Sequence, residues 1–408
     1  MGKIPTVISL YSGAGGIDYG FEAAGFQTRV ALDFDHDSCE TIRRNRDWPV
    51  LEGDIFAIPT ADILRTARLD AGEADILIGG PPCQPFSKAG YWARGESGRL
   101  RDPRAATLDG YLRVLEDTLP KSFLLENVHG IAYSAKNEGL RLLLREIEKI
   151  NERNGTAYKP VGAVLNAAGF GVPQIRERFF LIASRDGKPF AFPSPSYCAS
   201  DGEQTLIRLP TYRTAWDAIG DLQESSGESL DLTGKWADLL PSIPEGWNYL
   251  WHTDRGGGLP LFGWRRRYWS FLLKLSKSLP SWTIQAQPGP AIGPFHWKNR
   301  RLSMRELCRL QTFPDDVVIY GSRTSVQRQV GNAVPSLLAE VLAREISSQL
   351  LGRRTTHDLR LLTPDLSPAP PAETPQPVAR KYHFLIAQHD PHPGNGRGPG
   401  SRRAASSE

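Results

Sequence analysis

Short apolar runs alternate with helix-period segments through the first 184 residues, and this alternation narrows the fold more than any other feature. Thr6–Leu10, Thr28–Leu32, Asp75–Ile78, Phe123–Leu125 and Arg178–Ala183 read as strands. Between them, Ile17–Ala24 predicts a short helix closed by Gly25, and Asp37–Arg46 predicts a second. Thr107–Leu119 carries Leu108, Leu112, Leu115 and Leu119 on one face and stops at Pro120. Glu138–Arg153 repeats the pattern with Leu140, Leu143, Leu144, Ile147 and Ile150, and Gly155 lies beyond its end. Apolar residues three and four apart bury one face of a helix. Strands and helices in such alternation predict an α/β fold built on a doubly wound, mostly parallel sheet.

The pattern changes near Arg185. Pro, Gly, Ser and Trp become frequent, and helical periodicity is scarce until about residue 297. This predicts a smaller, loop-rich domain (185–297) inserted into a catalytic and cofactor-binding domain (1–184 and 298–351). Order returns at Ser303-Met304-Arg305-Glu306, a capping box that opens a helix ending before Pro314. Pro335 then starts a last helix with Leu338, Val341, Leu342 and Ile346 on its apolar side. The Pro-, Arg-, Gly- and Ser-rich tail, 352–408, reads as disordered.

Composition excludes some classes. No apolar run approaches the ~18–20 residues of a membrane span, and the N-terminus does not resemble a signal peptide, so a cytoplasmic protein is expected. The four cysteines (Cys39, Cys83, Cys198, Cys308) lie far apart, which supports neither a disulfide framework nor a metal site. The net charge of +4 does not announce a nucleic-acid binder. Locally, however, basic and aromatic residues interleave in Trp264-Arg265-Arg266-Arg267-Tyr268-Trp269 and His296-Trp297-Lys298-Asn299-Arg300-Arg301. Such clusters suit phosphate contact with stacking, and equally a solvated face over core tryptophans.

The strand at Asp75–Ile78 runs into Gly79-Gly80-Pro81-Pro82-Cys83-Gln84-Pro85-Phe86-Ser87. Two prolines fix their own φ angles and restrict the residues before them, so Cys83 is displayed on a stiff mount. The strand at Phe123–Leu125 ends in Glu126-Asn127-Val128. A thiol and a carboxylic acid at neighbouring strand ends suit attack on a ring that takes up a proton as it is attacked. The first strand is followed by Tyr11-Ser12-Gly13-Ala14-Gly15-Gly16-Ile17-Asp18, where glycines allow close approach to a helix N-terminus. Asp18 stands where a third fingerprint glycine would be, which disfavours a nicotinamide cofactor. Asp33 could accept from ribose hydroxyls, Phe34 could stack on adenine, and Asp54 could read its amino group. Arg176 and Arg178 alternate onto one side, where they could form salt bridges or face a carbonyl oxygen gathering charge. Gln329–Pro335 reads as a turn that could meet a cofactor carboxylate.

In this order, Gly13-Ala-Gly15-Gly, Pro82-Cys83-Gln84, Glu126-Asn127-Val128, Gln174-x-Arg176-x-Arg178, Arg305-Glu306-Leu307-x-Arg309-Leu310-Gln311 and Gly331-Asn332-Ala333-Val334-Pro335 resemble the DNA (cytosine-5)-methyltransferase family of bacterial restriction-modification systems. The likeness spans Thr6–Leu350 apart from the middle insertion. It implies an S-adenosylmethionine-dependent methyltransferase fold with a target-recognition domain at the insertion. It implies Cys83 as nucleophile, Glu126 as the acid on the ring nitrogen, and Arg178, supported by Arg176, near the cytosine carbonyl. Tyr11, Gly13, Gly15, Gly16, Asp33, Phe34, Asp54, Ile55, Pro82, Leu108, Asn332 and Ala333 would line the cofactor site. Two departures stand out: Tyr11 replaces the usual Phe, and the spacing up to Leu108 is one residue long. Ser87 and Lys88, in a glycine-bearing loop (87–100) expected to close over a flipped base, would contact DNA. So would Arg255, Arg265, Arg266 and Arg267. The expected partner is double-stranded DNA, bound by a monomer that protects host DNA from a partner restriction endonuclease. A tRNA cytosine-5 methyltransferase and a non-catalytic DNA-binding regulator are the rival readings. The Trp- and Arg-bearing insertion favours duplex DNA, and the intact Cys83, Glu126 and Arg178 favour an enzyme.

Overall fold

The computed structural model describes residues 3–82, 107–128, 138–199, 209–222, 227–264, 267–356, 358–386 and 388. A sheet is formed by β1 (Thr6–Leu10), β2 (Gln27–Asp33), β3 (Val50–Glu52), β4 (Ile76–Gly79), β5 (Ser122–Val128), β6 (Val161–Asn166) and β7 (Glu177–Ser184). Its order is β3-β2-β1-β4-β5-β7-β6. β7 runs antiparallel to both of its neighbours, and the remaining pairs are parallel. The doubly wound, mostly parallel sheet expected from the alternation is present.

Helices cover both faces, which is why the central strands are apolar throughout rather than alternating. On one side Ile8, Leu10, Leu77, Phe123 and Leu125 meet α3 (Thr60–Ala67), α4 (Thr107–Thr118) and α5 (Glu138–Asn154). On the other, Val7, Ile76, Ile78 and Leu124 meet α1 (Gly16–Ala23) and α9 (Ser336–Gln349). Between α1 and α3 lies α2 (His36–Asn45). α1 and α9 touch backbone to backbone, since a Cβ on Gly20 would sit 2.4 Å from the Ser336 carbonyl oxygen.

The later helices are α6 (Ala215–Ile219), α7 (Met304–Leu310) and α8 (Arg323–Asn332). The capping box of Ser303 and Glu306 opens α7 as expected. Gln329–Asn332, read above as a turn, is instead the last part of α8. That helix shows only Val326 and Val330 to the core, too thin a stripe to register as periodic. Phe190 and Phe192 pack against the sheet's core and α6 packs on α7, so sheet-side packing continues past residue 184. Leu239, Leu240, Ile243, Tyr249, Phe262, Phe271 and Leu272 make a separate core held in 3-10 turns and irregular backbone.

Part of the tail read above as disordered is ordered, while residues 389–408 lie outside the described ones. Residues 358–386 form a strap that leaves α9, crosses the sheet domain and ends on the middle core. The buried Glu340 carboxylate accepts from the backbone N–H groups of Arg360 (2.8 Å) and Leu361 (2.9 Å). Leu359, Leu361 and Leu362 pack against the sheet's core, and Leu366 N–H donates to Asp217 at 2.8 Å. Farther on, Gln376 N–H donates to the Pro241 carbonyl (2.9 Å), and buried Tyr382 stacks on Trp236 with centroids 5.9 Å apart. Tyr382→Ala should therefore lower unfolding free energy by about 3 kcal/mol in a urea titration. A curve superimposable on wild type would return the strap to the disordered class.

Candidate active site

β4 and β5 lie side by side and parallel, with Gly79 opposite Leu125, so their carboxyl ends deliver Gly80-Pro81-Pro82 and Glu126-Asn127-Val128 to one place. Asn127 Nδ2 donates to the Pro81 carbonyl (3.2 Å) and Thr107 Oγ1 to the Pro82 carbonyl (2.9 Å). The proline turn is thereby pinned from both sides. A Cβ on Gly80 would lie 2.8 Å from Glu126 Oε2, so only glycine leaves room for the acid over the turn that leads to Cys83. Cys83, Ser87, Lys88 and the 87–100 loop lie outside the described residues, as do Arg265 and Arg266.

Because β7 is antiparallel, its first residues reach this same edge. Arg178 stands opposite Val128, and its Nε donates to Glu126 Oε1 at 2.9 Å. Burial raises the Glu126 pKa above its ordinary value, against the pull of Arg178 and then Arg176. The carboxyl thus holds a proton to higher pH than an exposed glutamate does, while one guanidinium stays beside it. Cys39 and Cys308 are buried, and desolvation pushes both thiols up to about 12, which makes them poor nucleophiles.

Arg176 stands near Arg178 and Glu126, whose charges both act on it. It is 1% exposed, and its Nη atoms donate to the carbonyls of Gly331 (2.7 Å) and Ile284 (3.3 Å). β7 begins at Glu177, yet the alternation of burial runs back through it: Gln174 and Arg176 are buried, while Ile175 is half-buried and Glu177 exposed. This guanidinium ties the start of β7 to distant segments, and Arg178 is the one that bonds Glu126. Gln174, to which the sequence reading gave no role, is fully buried; it donates to the Leu310 carbonyl (3.2 Å) and accepts from Ile284 N–H (3.1 Å). Its place in Gln174-x-Arg176-x-Arg178 was the available signal. Asn127 and Thr107 were missed as well, although Asn127 sits inside a quoted motif.

At the ends of β1 and β2, Gly13 (φ 53°) and Gly15 (φ 84°) take left-handed backbone that favours glycine. The Gly13 N–H donates to Asp33 Oδ2 (2.7 Å) and Asp35 N–H to Asp33 Oδ1 (2.9 Å), fixing the turn against the strand end. Burial raises the Asp33 pKa, opposed by these backbone donors. Next to it, Phe34 is 70% exposed, an aromatic face left to solvent at the sheet edge. Asp54 is exposed and Ile55 is buried in the same core that Leu108 packs against. The Tyr11 hydroxyl is accommodated, donating to the Thr107 carbonyl at 2.6 Å.

Gly16 has a packing reason: its Cβ would lie 2.6 Å from the Val334 carbonyl oxygen and 3.0 Å from Ala333 Cβ. That contact brings Asn332 and Ala333, over three hundred residues away in sequence, to the glycine turn. Space at Gly13, where a Cβ would meet nothing within 4 Å, together with exposed Phe34 and strand-end Asp33, fits an adenosine-bearing cofactor. Arg255 and Arg267 are exposed on the middle domain; Arg255 lies 5.1 Å from the Trp264 ring centroid and Arg267 5.6 Å from that of Phe271. Among the described residues no helix is long and apolar enough to cross a membrane, and no group of His, Cys, Asp and Glu could hold a metal ion.

Known proteins share this fold. Two solved structures match its fold: a mutant form of Spodoptera frugiperda DNMT2 (TM-score 0.57, 16% identity, 85% of this chain and 99% of that one) and the Entamoeba histolytica methyltransferase EhMeth (TM-score 0.55, 17% identity, 86% and 99%). In sequence, the chain is 40% identical over 372 residues to the type II methyltransferase M.SacI of Streptomyces achromogenes, covering 84% of this chain and 93% of that one. It is 34% identical over 350 residues to the type II methyltransferase M1.HphI of Haemophilus parahaemolyticus, covering 84% and 86%. Residues 5–348 match the family model for C-5 cytosine-specific DNA methylases. The chain belongs to that family and is a DNA (cytosine-5-)-methyltransferase.

Proposed function

We propose that the protein moves a methyl group from S-adenosylmethionine to C5 of a cytosine in a short, specific duplex sequence, after flipping that cytosine out of the helix. The observation that carries this reading is the buried Glu126 carboxyl, paired with Arg178 and lying over Gly80 at the head of the turn to Cys83. Gly13, Gly15, Asp33, Phe34, Asp54, Asn332 and Ala333 would hold the cofactor, with Tyr11, Ile55, Pro82 and Leu108 around them. Bound there, it supplies an electrophilic sulfonium methyl.

The chain's own residues do the rest. The Cys83 thiolate adds to C6, breaking the C5–C6 double bond, while Glu126 passes its proton to N3. The resulting enamine carries electron density at C5, which would bond to the methyl carbon as the methyl–sulfur bond breaks and its electron pair stays on sulfur as a neutral thioether. Arg178, beside Glu126, faces the ring carbonyl as charge gathers there. A base then removes the C5 hydrogen as a proton, the double bond reforms, and the thiolate leaves as N3 returns its proton. None of these atoms is reachable inside a duplex, so extrusion of the base, costing a few kcal/mol, precedes the chemistry. The protein would bind DNA as a monomer, and its likeness to type II methyltransferases supports a role in protecting host DNA from a partner endonuclease.

Cytosine-conversion sequencing of DNA from cells expressing the chain tests this reading. Protected cytosines should fall at one short sequence, and no such site should appear with Cys83→Ser. Unprotected DNA alongside methylated tRNA would favour the rival RNA substrate, and no methylation of either would overturn the enzymatic reading.

A further inference from the structure

Three tryptophans of the middle segment are exposed, and two of them, Trp269 and Trp282, meet each other; Trp247, 45% exposed, packs on Trp251 instead. Trp269 is 53% and Trp282 37% exposed, whereas Trp297 is buried. Their rings meet edge to face, with centroids 5.7 Å apart. Leaving large apolar rings in water forgoes burial worth roughly 25 cal/mol per Å², so a firmly held, exposed pair points to something that covers it.

Both rings are mounted on hydrogen-bonded backbone. On one side, Asn248 Nδ2 donates to the Trp269 carbonyl (2.7 Å), the Tyr249 hydroxyl to the Arg267 carbonyl (3.0 Å), and Phe271 N–H to the Tyr268 carbonyl (2.9 Å). On the other, Ile175 N–H donates to the Ser281 carbonyl (2.8 Å) and Thr283 Oγ1 to the Ile175 carbonyl (2.7 Å). Gln285 Nε2 joins the two segments through Ser270 Oγ at 2.9 Å.

Ile175 lies two residues before β7, and the start of β7 stands at the same sheet edge as Glu126. Trp282 is therefore carried on a segment tied to the stretch that leads, three residues later, into the Arg178 that bonds Glu126. Tyr268, 82% exposed, and Arg267, also exposed with its guanidinium 5.6 Å from the Phe271 centroid, directly precede Trp269 in the chain. Aromatic faces with cations alongside, continuous with a site that acts on DNA, match the base stack and phosphates of a nucleic-acid strand.

We propose that Trp269 and Trp282 form a stacking surface for the duplex beside the flipped cytosine, taking up bases that lose a neighbour when the target leaves the helix. The proposal rests on the base-flipping reading above and adds where part of the lost stacking is recovered. A surface engaged only after extrusion favours the extruded state, so its removal should matter most where extrusion is costly.

The test uses the full chain, single-turnover methyl transfer, and a duplex carrying the site found by conversion sequencing. One duplex pairs the target cytosine with guanine, and a second mispairs it so that extrusion is easier. W269A and W282A should slow transfer on the paired duplex by about 5- to 100-fold. On the mispaired duplex they should run within about twofold of wild type, cofactor affinity should be unchanged, and W282F should keep most of the activity. Wild-type rates on the paired duplex would overturn the proposal. So would equal losses on both duplexes, or lost cofactor binding, since either marks a packing role. Absence of transfer by wild type itself would instead refute the functional reading beneath it.

Discussion

Cys83→Ser will abolish methyl transfer, by on the order of 10⁴-fold or more, and leave cofactor affinity unchanged. Serine keeps the size and polarity of the side chain, but its hydroxyl ionises far less readily than a thiol and gives almost no anion at neutral pH. The loss cannot be covered by neighbouring sulfur, because Cys39 and Cys308 are buried with pKa values pushed up to about 12. Cofactor binding survives because the glycine turn and Asp33 are fixed by their own hydrogen bonds at the ends of β1 and β2. Transfer of labelled methyl, with calorimetry for the cofactor, reads both quantities. Activity within tenfold of wild type would contradict the assignment.

Glu126→Gln should cost about 10²–10⁴ in kcat, the range of a lost general acid, and it should also change the pH profile. Glu126 works protonated, and its folded pKa is raised by burial, so the working fraction falls as pH climbs through that raised value. This places an alkaline limb on the profile, which the glutamine variant lacks. Arg178→Met removes the charge that most opposes the shift, so the Glu126 pKa rises further and the limb moves to higher pH. The rate also drops in that variant, but the position of the limb is a separate readout. A limb unmoved by Arg178→Met and still present in Glu126→Gln would assign it to another group.

The residues that were legible in the sequence share a physical property. β1, β2, β4 and β5 are buried on both faces, so their apolar runs are dense, and their ends mark where Asp33, the proline turn and Glu126 stand. Edge strands β3 and β6 are half-exposed and carry mixed residues, so no run flags them. Arg176 was legible by side but not by contact: alternation groups it with Arg178, while its hydrogen bonds go to the carbonyls of Gly331 and Ile284, far along the chain. The strap escaped because its anchoring is supplied from outside it. Glu340, Asp217 and Trp236 receive its backbone and its buried ring, Tyr382, and its Pro-rich composition records none of them. The exposed tryptophans were legible only as residues; their lack of burial is a property of the fold.

The proposed reaction turns on a bond between one sulfur and C6 of the target ring. A duplex with 5-fluorocytosine at the methylated position probes it directly, because fluorine cannot leave C5 as a proton does and the sulfur–carbon bond stays in place after methyl transfer. Intact-mass measurement should show protein and DNA joined in equal numbers, with the attached peptide carrying Cys83. Efficient methylation of ordinary cytosine with no such adduct on the fluorinated duplex would contradict it.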